Sequence, residues 1–422
     1  MTIKALCRRS SAGAAVALGL LAGSPALATN GYFANGYGGA SKGLAGSGVA
    51  VPTGVLGLAQ NPAMGMKVGN QAGFCLTIFA PERGFDVSGA GGLTPGSYTS
   101  ANDIFAIPCG GVNFKLNDRS SLGLFMFGNG GMNTEYSSNV FVPGFGLAGS
   151  TPLGVNLEQL FISLNYSYQV SDQLTLGIAP IFAVQRFSAT GFENFSAFSL
   201  DPARLTNNGD SWSTGGGVNL GLLYEPNQAW SIGVTYRSRM QMSNFDEYAG
   251  LFAEQGDFDV PPVATIGAAY TPPSNPRWTL SGEVQRIFYS DVAAISNSGA
   301  VITTPFGADD GPGFGWKDMD VLRLAAIYRH SDKLTLRGGV SFASQFIESQ
   351  EALLNIVAPA TPRLHISVGA SYQINERWGI TTSFTHVPNA TVTGTNPSLA
   401  PTQPVTLRMN QNEFAIGMTY RW

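Results

Sequence analysis

The chain has 422 residues, with 23 Lys and Arg against 27 Asp and Glu, and only 12% of it is charged. A net charge of −4 argues against a nucleic-acid partner. After its first residues, no stretch stays apolar over the roughly 20 positions a membrane-crossing helix needs, which excludes a helical membrane protein.

In chain order, residues 1–28 read as an export signal. Lys4, Arg8 and Arg9 make a basic start, residues 12–22 are apolar but too short to span a bilayer, and Ala26-Leu27-Ala28 is a small-residue cleavage site. Cys7 precedes the apolar stretch, so it is not a lipoprotein cysteine. Residues 29–68 are rich in Gly, Ala and Asn and show no sustained alternation. From residue 69 to 422 the pattern changes. Segments of about ten or more residues alternate apolar and polar, and the pattern predicts strands at 69–82, 102–116, 121–136, 153–170, 174–189, 211–225, 229–244, 259–271, 278–290, 318–330, 334–346, 363–374, 378–392 and 404–422.

A polar turn followed by an aromatic or leucine joins these strands in pairs. Ser171-Asp172-Gln173-Leu174, Ser331-Asp332-Lys333-Leu334, Asn275-Pro276-Arg277-Trp278 and Asn375-Glu376-Arg377-Trp378 are close copies, and Asn117 and Asn227 open looser ones. Parity puts Leu174, Leu176, Ile178, Phe182 and Val184 on one face of a strand and Thr175, Gly177, Ala179 and Ala183 on the other. Trp230, Trp278, Trp378, Tyr168, Tyr224, Tyr328, Tyr372 and Tyr420 fall beside the turns, as an interfacial aromatic girdle does. A sheet in hydrocarbon must close on itself, so these features predict an all-β, 14-stranded antiparallel transmembrane β-barrel in a Gram-negative outer membrane. A soluble β-repeat is the competitor, but its strands would be shorter. Short turns face the periplasm, and both termini with them.

The N-terminal segment then becomes readable. Asn30-Gly31-Tyr32-Phe33, Gly36-Tyr37-Gly38-Gly39-Ala40, residues 46–50 and the triplet Asn61-Pro62-Ala63 resemble the start of the FadL/TodX family of outer-membrane transporters for long-chain fatty acids and aromatic hydrocarbons. The resemblance implies that residues 29–68 form a hatch (plug) inside the barrel of residues 69–422. It also implies that ligand leaves sideways through a gap in the wall. The implied partners are a hydrophobic small molecule and outer-membrane lipid, with the protein acting as a single copy.

Several residues are candidates for this work. Gly128-Asn129-Gly130-Gly131 interrupt the third strand, where glycines mark a bulge or bend. The family's third strand kinks inward at the matching place, whereas a strand ending at Phe127 would make the same residues loop. Phe192, Phe195 and Phe198 in the loop after strand five, and Tyr248, Leu251 and Phe252 in the loop after strand seven, suggest ligand capture. The same side chains packed against one another would form a lid. By resemblance, Tyr32 and Phe33 contact a bound alkyl chain. Residues 174–186 resemble the family's fifth strand, which ends in a pocket arginine, here Arg186. Strict parity instead turns Gln185 inward and Arg186 outward unless Pro180 bulges the strand. Parity also sends Lys115, Arg237, Arg239, Glu283, Arg323, Arg329, Arg337, His365 and Glu413 inward, either to pack the hatch or to meet a ligand carboxylate. Cys75 and Cys109 share inward parity on the first two strands. They make either a cross-strand disulfide or two small buried thiols.

Enzyme readings are weak. His365-Ile366-Ser367 has a spacing seen in outer-membrane phospholipases, but parity turns it to the lumen. No metal cluster, cofactor motif, phosphate loop or nucleophile elbow is present in the sequence. The expected function is therefore import of hydrophobic or amphipathic molecules, foremost long-chain fatty acids. Import of aromatic hydrocarbons, or passive passage of small polar solutes as through a porin, are the alternatives.

Overall fold

The computed structural model describes residues 30–142, 150–396 and 402–422; the predicted export signal lies outside these described residues. The wall strands are β1 (Gln71–Val87), β2 (Phe105–Lys115), β3 (Ser120–Glu135), β4 (Gly154–Gln169), β5 (Leu174–Thr190), β6 (Ser211–Tyr224), β7 (Trp230–Arg237), β8 (Val263–Tyr270), β9 (Trp278–Ile287), β10 (Met319–Arg329), β11 (Leu334–Ala343), β12 (Leu364–Gln373), β13 (Trp378–Asn396) and β14 (Gln403–Arg421). Each pairs antiparallel with the next, and β14 returns to β1 from Gln71–Arg421 to Val87–Val405, closing a 14-stranded barrel. Two short strands, Gly96–Thr99 and Gln241–Met242, add to β1 and β6.

The recurring turns have one physical basis. The first side chain accepts hydrogen bonds from backbone N–H groups two and three residues on, a local substitute for a backbone turn. Asn227 Oδ1 receives Ala229 N and Trp230 N at 2.9 and 3.1 Å, and Asn375 Oδ1 receives Arg377 N and Trp378 N at 3.0 and 2.9 Å. Ser171 and Ser331 use their hydroxyls in the same way. The aromatics after the turns then stack across strands, with Trp230 on Tyr270, Trp278 on Tyr328 and Trp378 on Tyr420 at 4.7–4.8 Å between centroids. Outward positions such as Phe74, Leu164, Ile178, Phe182, Leu220, Ile266, Val368 and Phe414 stay exposed and form the lipid-facing belt.

Two strand ends differ most from expectation, and smaller differences include β8 starting at Val263 rather than 259 and β13 running to Asn396 rather than 392. β1 runs to Val87 rather than 82, through Pro81. The β1–β2 ladder ends at Phe79–Phe105, and pairing on that side resumes at Gly84. Pro81 thus sits where β1 has β14 as its one neighbour, so its missing N–H costs less there. β7 stops at Arg237 instead of 244, because Arg239 turns to Asp257 and Asp259 of the following loop.

Residues 30–70 lie inside the ring and touch the inner face of most strands. They carry short helical turns at Gly38–Lys42, Val55–Ala59, Pro62–Met64 and Gly65–Val68. Asn61 Oδ1 caps the Pro62 turn by accepting Ala63 N at 2.9 Å, and its Nδ2 donates to Val49 O and Leu222 O. Pro62 O accepts from Asn165 Nδ2 and Ser167 Oγ at 3.1 and 2.6 Å. Two buried ion pairs complete the anchorage. Lys42 pairs with Glu413, and Arg323 pairs with Glu283 at 2.8 Å, both of the latter only 2% exposed. Glu283 also accepts Gly48 N and Val49 N of the inner segment at 2.9 and 3.1 Å.

Glycines on the lumenal face of the wall make room for this segment. A Cβ at Gly177 would lie 2.2 Å from Pro62 C, at Gly221 2.2 Å from Asn61 Oδ1, at Gly233 2.0 Å from Val49 O and at Gly339 2.5 Å from Leu44 C. Such contacts are with backbone or a bonded side chain and cannot be relieved by a rotamer change. Gly233→Leu is therefore expected to unseat the 46–51 stretch while the barrel still assembles. Single-channel recording in planar bilayers checks this: ion conductance should rise well above that of the unaltered protein.

Candidate functional site

The wall is interrupted between β2 and β3. Their ladder covers Gly110–Met126 to Lys115–Ser121 and then stops, although β2 continues to Phe105 and β3 to Glu135. Above the break, β3 bulges at Asn129, where its register with β4 shifts between Gly128 and Gly130. It bends toward the lumen and takes the inner segment as its partner. Phe33 bridges Gly130, Ala34 N donates to Asn129 O at 2.8 Å, and Gly131 N donates to Tyr32 O at 2.9 Å. Higher still, Ala101 N donates to Glu135 O at 2.8 Å and Glu135 N to Ser100 Oγ at 3.1 Å. The result is a window in the wall, bordered by residues 102–109 on one side and 127–134 on the other. Pro108 falls on the β2 stretch that has no β3 neighbour, as Pro81 falls on the single-neighbour stretch of β1.

A cavity lies behind the window, lined by Thr77, Ile107, Phe127, Gly128, Gly130 and the Cys75–Cys109 pair. The two cysteines are opposite one another in the β1–β2 ladder and are joined as a disulfide, with Cα atoms 5.0 Å apart.

Asn129 is fully buried and gathers several side chains. Its Oδ1 accepts from Arg237 Nη1 at 2.9 Å and Tyr37 Oη at 3.1 Å. Its Nδ2 donates to Gln159 Oε1 at 2.8 Å, Gln159 donates to Gln185 Oε1 at 2.9 Å, and Gln185 donates to Phe258 O at 2.9 Å. This chain of hydrogen bonds runs from the bent third strand across β4 and β5 to the loop after β7. The Arg237 guanidinium lies between the rings of Phe33 and Phe161, 5.0 and 5.4 Å from their centroids, a geometry that stabilises a desolvated cation. Among the described residues no carboxylate lies within ion-pair distance of it. A second cavity beside it is lined by Phe33, Tyr37, Val49, Asn219, Thr265 and Arg323 among others. Arg237 is thus a lumenal cation with no direct carboxylate partner, and the Glu283 carboxylate that lines the same cavity is paired with Arg323. Parity alone places Arg237 among inward charges that either pack the hatch or meet a ligand carboxylate, and the one local sign that sets it apart is the inward Gln159 between the apolar Leu157 and Phe161.

Arg186 is a correction. The register of β4 with β5 is the same on both sides of Pro180, from Ile162–Phe182 to Tyr166–Ile178, so no bulge reverses the faces. Gln185 points inward and Arg186 outward, where it binds Glu158 and Asp210 and stacks 5.8 Å from the Trp212 ring. It takes no part in a lumenal pocket.

Tyr32 and Phe33 stack on each other at 4.9 Å and are buried among Phe258, Tyr289 and Trp316 of two outer loops. Of the outer-loop aromatics, Phe195 and Tyr248 are packed away and Phe198 is exposed. Phe192, Leu251 and Phe252 line a mainly apolar cleft with Phe187, Phe306 and Phe314. Packing and cleft thus coexist in the same two loops. The other lumenal charges divide by position. Glu283, Arg323 and Glu413 hold the inner segment, Arg337 donates to Ser371 Oγ at 2.6 Å, and His365 is fully buried. Lys115 and Arg329 lie at exposed turn ends and Arg239 in a loop, so these three do not face the lumen's core.

Comparison with known proteins places this geometry. A family profile described as outer membrane protein transport protein (OMPP1/FadL/TodX) matches residues 19–422. A long-chain fatty acid transport protein of Salmonella typhi is 22% identical over 62% of this chain, which spans 65% of that protein, just under two thirds. One from Escherichia coli O6:H1 is 22% identical over 89% of this chain and 90% of its own length. The crystal structure of the Pseudomonas putida toluene transporter TodX superposes with a TM-score of 0.71 at 18% identity, covering 92% of this chain and 99% of that one.

The loop after β7 carries a pH-sensitive contact. Burial and the neighbouring Asp259 push the Asp257 carboxyl up to about 7, with Arg239 opposing them. The folded loop therefore binds this proton more tightly than an opened loop does. The extra stability is fully present below the ordinary value of 3.8 and is lost as pH rises through about 7. Hydrogen exchange across residues 238–262, corrected for intrinsic rates, should be slower at pH 5.5 than at pH 8, and Asp257→Asn should abolish the difference.

Proposed function

The chain belongs to the OMPP1/FadL/TodX family, and from that premise we propose that it is an outer-membrane transporter of hydrophobic molecules whose ligands are long-chain fatty acids, released sideways through the β2–β3 window. The observation that carries the reading is Arg237. A buried guanidinium left without a carboxylate offers a ligand carboxylate a charge-assisted hydrogen bond, worth about 1.5–3 kcal/mol. The rings of Phe33 and Phe161 on either side suit the start of an alkyl chain.

In this reading the cleft at Phe192, Leu251 and Phe252 takes the ligand from the outside. The ligand then passes to the space under Tyr32 and Phe33, with its carboxylate on Arg237. A carboxylate there competes with Asn129 Oδ1 for the same Nη1 donor, so occupancy loosens the residue that shapes the third-strand bulge. Release follows along the window into the bilayer. An alkyl chain that moves directly into lipid avoids the roughly 0.8 kcal/mol per CH₂ that exposure to periplasmic water would cost. The concentration gradient suffices as the driving force.

One observation favours the neutral alternative, import of an aromatic hydrocarbon. The cavity directly behind the window is nearly all apolar, and its one cation, Lys42, is already bound to Glu413. Equilibrium binding of radiolabelled oleate to the purified protein, with toluene as competitor, separates the two. Saturable binding that resists toluene, weakens about tenfold or more in Arg237→Met, and is unchanged in Arg186→Ala supports the fatty-acid reading. Binding that toluene displaces and Arg237→Met leaves intact supports the hydrocarbon reading.

A further inference from the structure

A second lumenal cation sits at the window itself. Arg83, on β1, is 4% exposed and faces inward, opposite Met409 of β14. Its Nη2 donates to Asn102 O at the upper rim of the window, and its guanidinium lies 5.3 Å from the Phe105 ring. Its Nε has no acceptor, and among the described residues no carboxylate reaches ion-pair distance. The acids on neighbouring outward positions, Glu82 and Asp86, belong to Arg408 instead. The guanidinium borders a cavity lined by Gly31, Gly131, Met132, Thr134, Ala358 and Met409. That lining is apolar or uncharged, and Asp103, next to the rim residue Asn102, acts on the guanidinium without forming an ion pair with it. A buried charge without an ion-pair partner is costly to maintain, and the fold gives this one only the Asn102 carbonyl and the Phe105 ring.

We propose that Arg83 is a second binding site for the carboxylate of an amphiphile in transit, used as the molecule leaves through the window. The proposal rests on the fatty-acid reading above and adds a separate residue and step to it. Arg83 stands six residues along β1 from Thr77, which pairs with Ile107 in the apolar cavity behind the window. Six strand residues span roughly 20 Å, a distance a long acyl chain can bridge. An amphiphile held this way lies with its tail over Ile107 and Phe127 and its carboxylate at the extracellular end of the opening. It therefore enters the outer leaflet head outward, with the same polarity as the lipids there. Arg237 receives the carboxylate inside the bend of β3, and Arg83 receives it outside that bend. The two cations divide the path between them, which keeps the carboxylate from crossing the apolar window region unpaired.

The test is uptake by cells that lack their own transporter and express this chain, using radiolabelled oleate and, in parallel, oleyl alcohol, which has a similar tail and no charge. Correct assembly of each variant is checked by heat-modifiable gel migration and the intact disulfide. Arg83→Gln should lower oleate uptake about tenfold and leave oleyl alcohol uptake unchanged, while Arg83→Lys should retain most oleate uptake. Equal oleate uptake in Arg83→Gln and the unaltered protein would overturn the proposal. So would a parallel fall for both probes in Arg83→Gln and Arg83→Lys, which marks a structural role. An unaltered protein that imports oleyl alcohol but not oleate would sink the fatty-acid reading itself, and Arg83 with it.

Discussion

Inside a bilayer every backbone N–H and C=O needs a partner within the protein, and that requirement governs the rest of this structure. Most strand junctions meet it by antiparallel pairing, including β14 to β1, and where the β6–β7 ladder stops at Asn219–Arg237 the short strand Gln241–Met242 pairs with β6 further on. Between β2 and β3, pairing is abandoned over about half the length of β2. The backbone groups of β3 that turn away from β2 are satisfied by Tyr32, Phe33 and Ala34 of the inner segment. The opening therefore exists because the N-terminal segment supplies the missing partner. Prolines at 81 and 108 sit on the strand stretches with a single neighbour, where fewer donors are needed.

This arrangement ties the window to the outer loops. The same short N-terminal stretch holds the bend in β3, stacks on loop aromatics above and flanks Arg237 at its side. Further along, the inner segment is fixed rigidly by Lys42–Glu413, Arg323–Glu283 and the Asn61-Pro62-Ala63 contacts. Breaking one partner of a buried ion pair typically costs about 3–5 kcal/mol, so these pairs hold the inner segment firmly to the wall. The hydrogen-bond chain Asn129–Gln159–Gln185–Phe258 gives the outer loop after β7 a physical connection to the bend in β3.

The wall was legible in the sequence because its physics is local. Side-chain parity repeats every two residues, and each turn announces itself through an Asn or Ser that caps its own backbone, as at Asn227 and Asn375. The interior was less legible because it depends on which distant strands face one another. Arg186 shows the hazard of carrying a role along a resemblance: parity had already turned it outward, and the unbroken register at Pro180 upheld parity. Arg83 escaped notice for the opposite reason. The predicted first strand stops at residue 82, which left Arg83 in a predicted loop, and the loss of the β2 neighbour explains why the strand continues through Pro81. The lumenal glycines at 177, 221, 233 and 339 looked like ordinary small strand residues. Their purpose depends on the inner segment pressed against them, which no local pattern reveals.

The most direct test of lateral release is to remove the extra residue that bends the third strand. Deleting Asn129 eliminates the bulge between Gly128 and Gly130 and lets β3 realign with β2. Oleate uptake by cells expressing the deletion, with barrel assembly and surface display verified, should fall about tenfold or more, while oleate capture by the outer loops persists. Uptake at the level of the unaltered protein, with the β2–β3 ladder shown to be closed, would contradict the account.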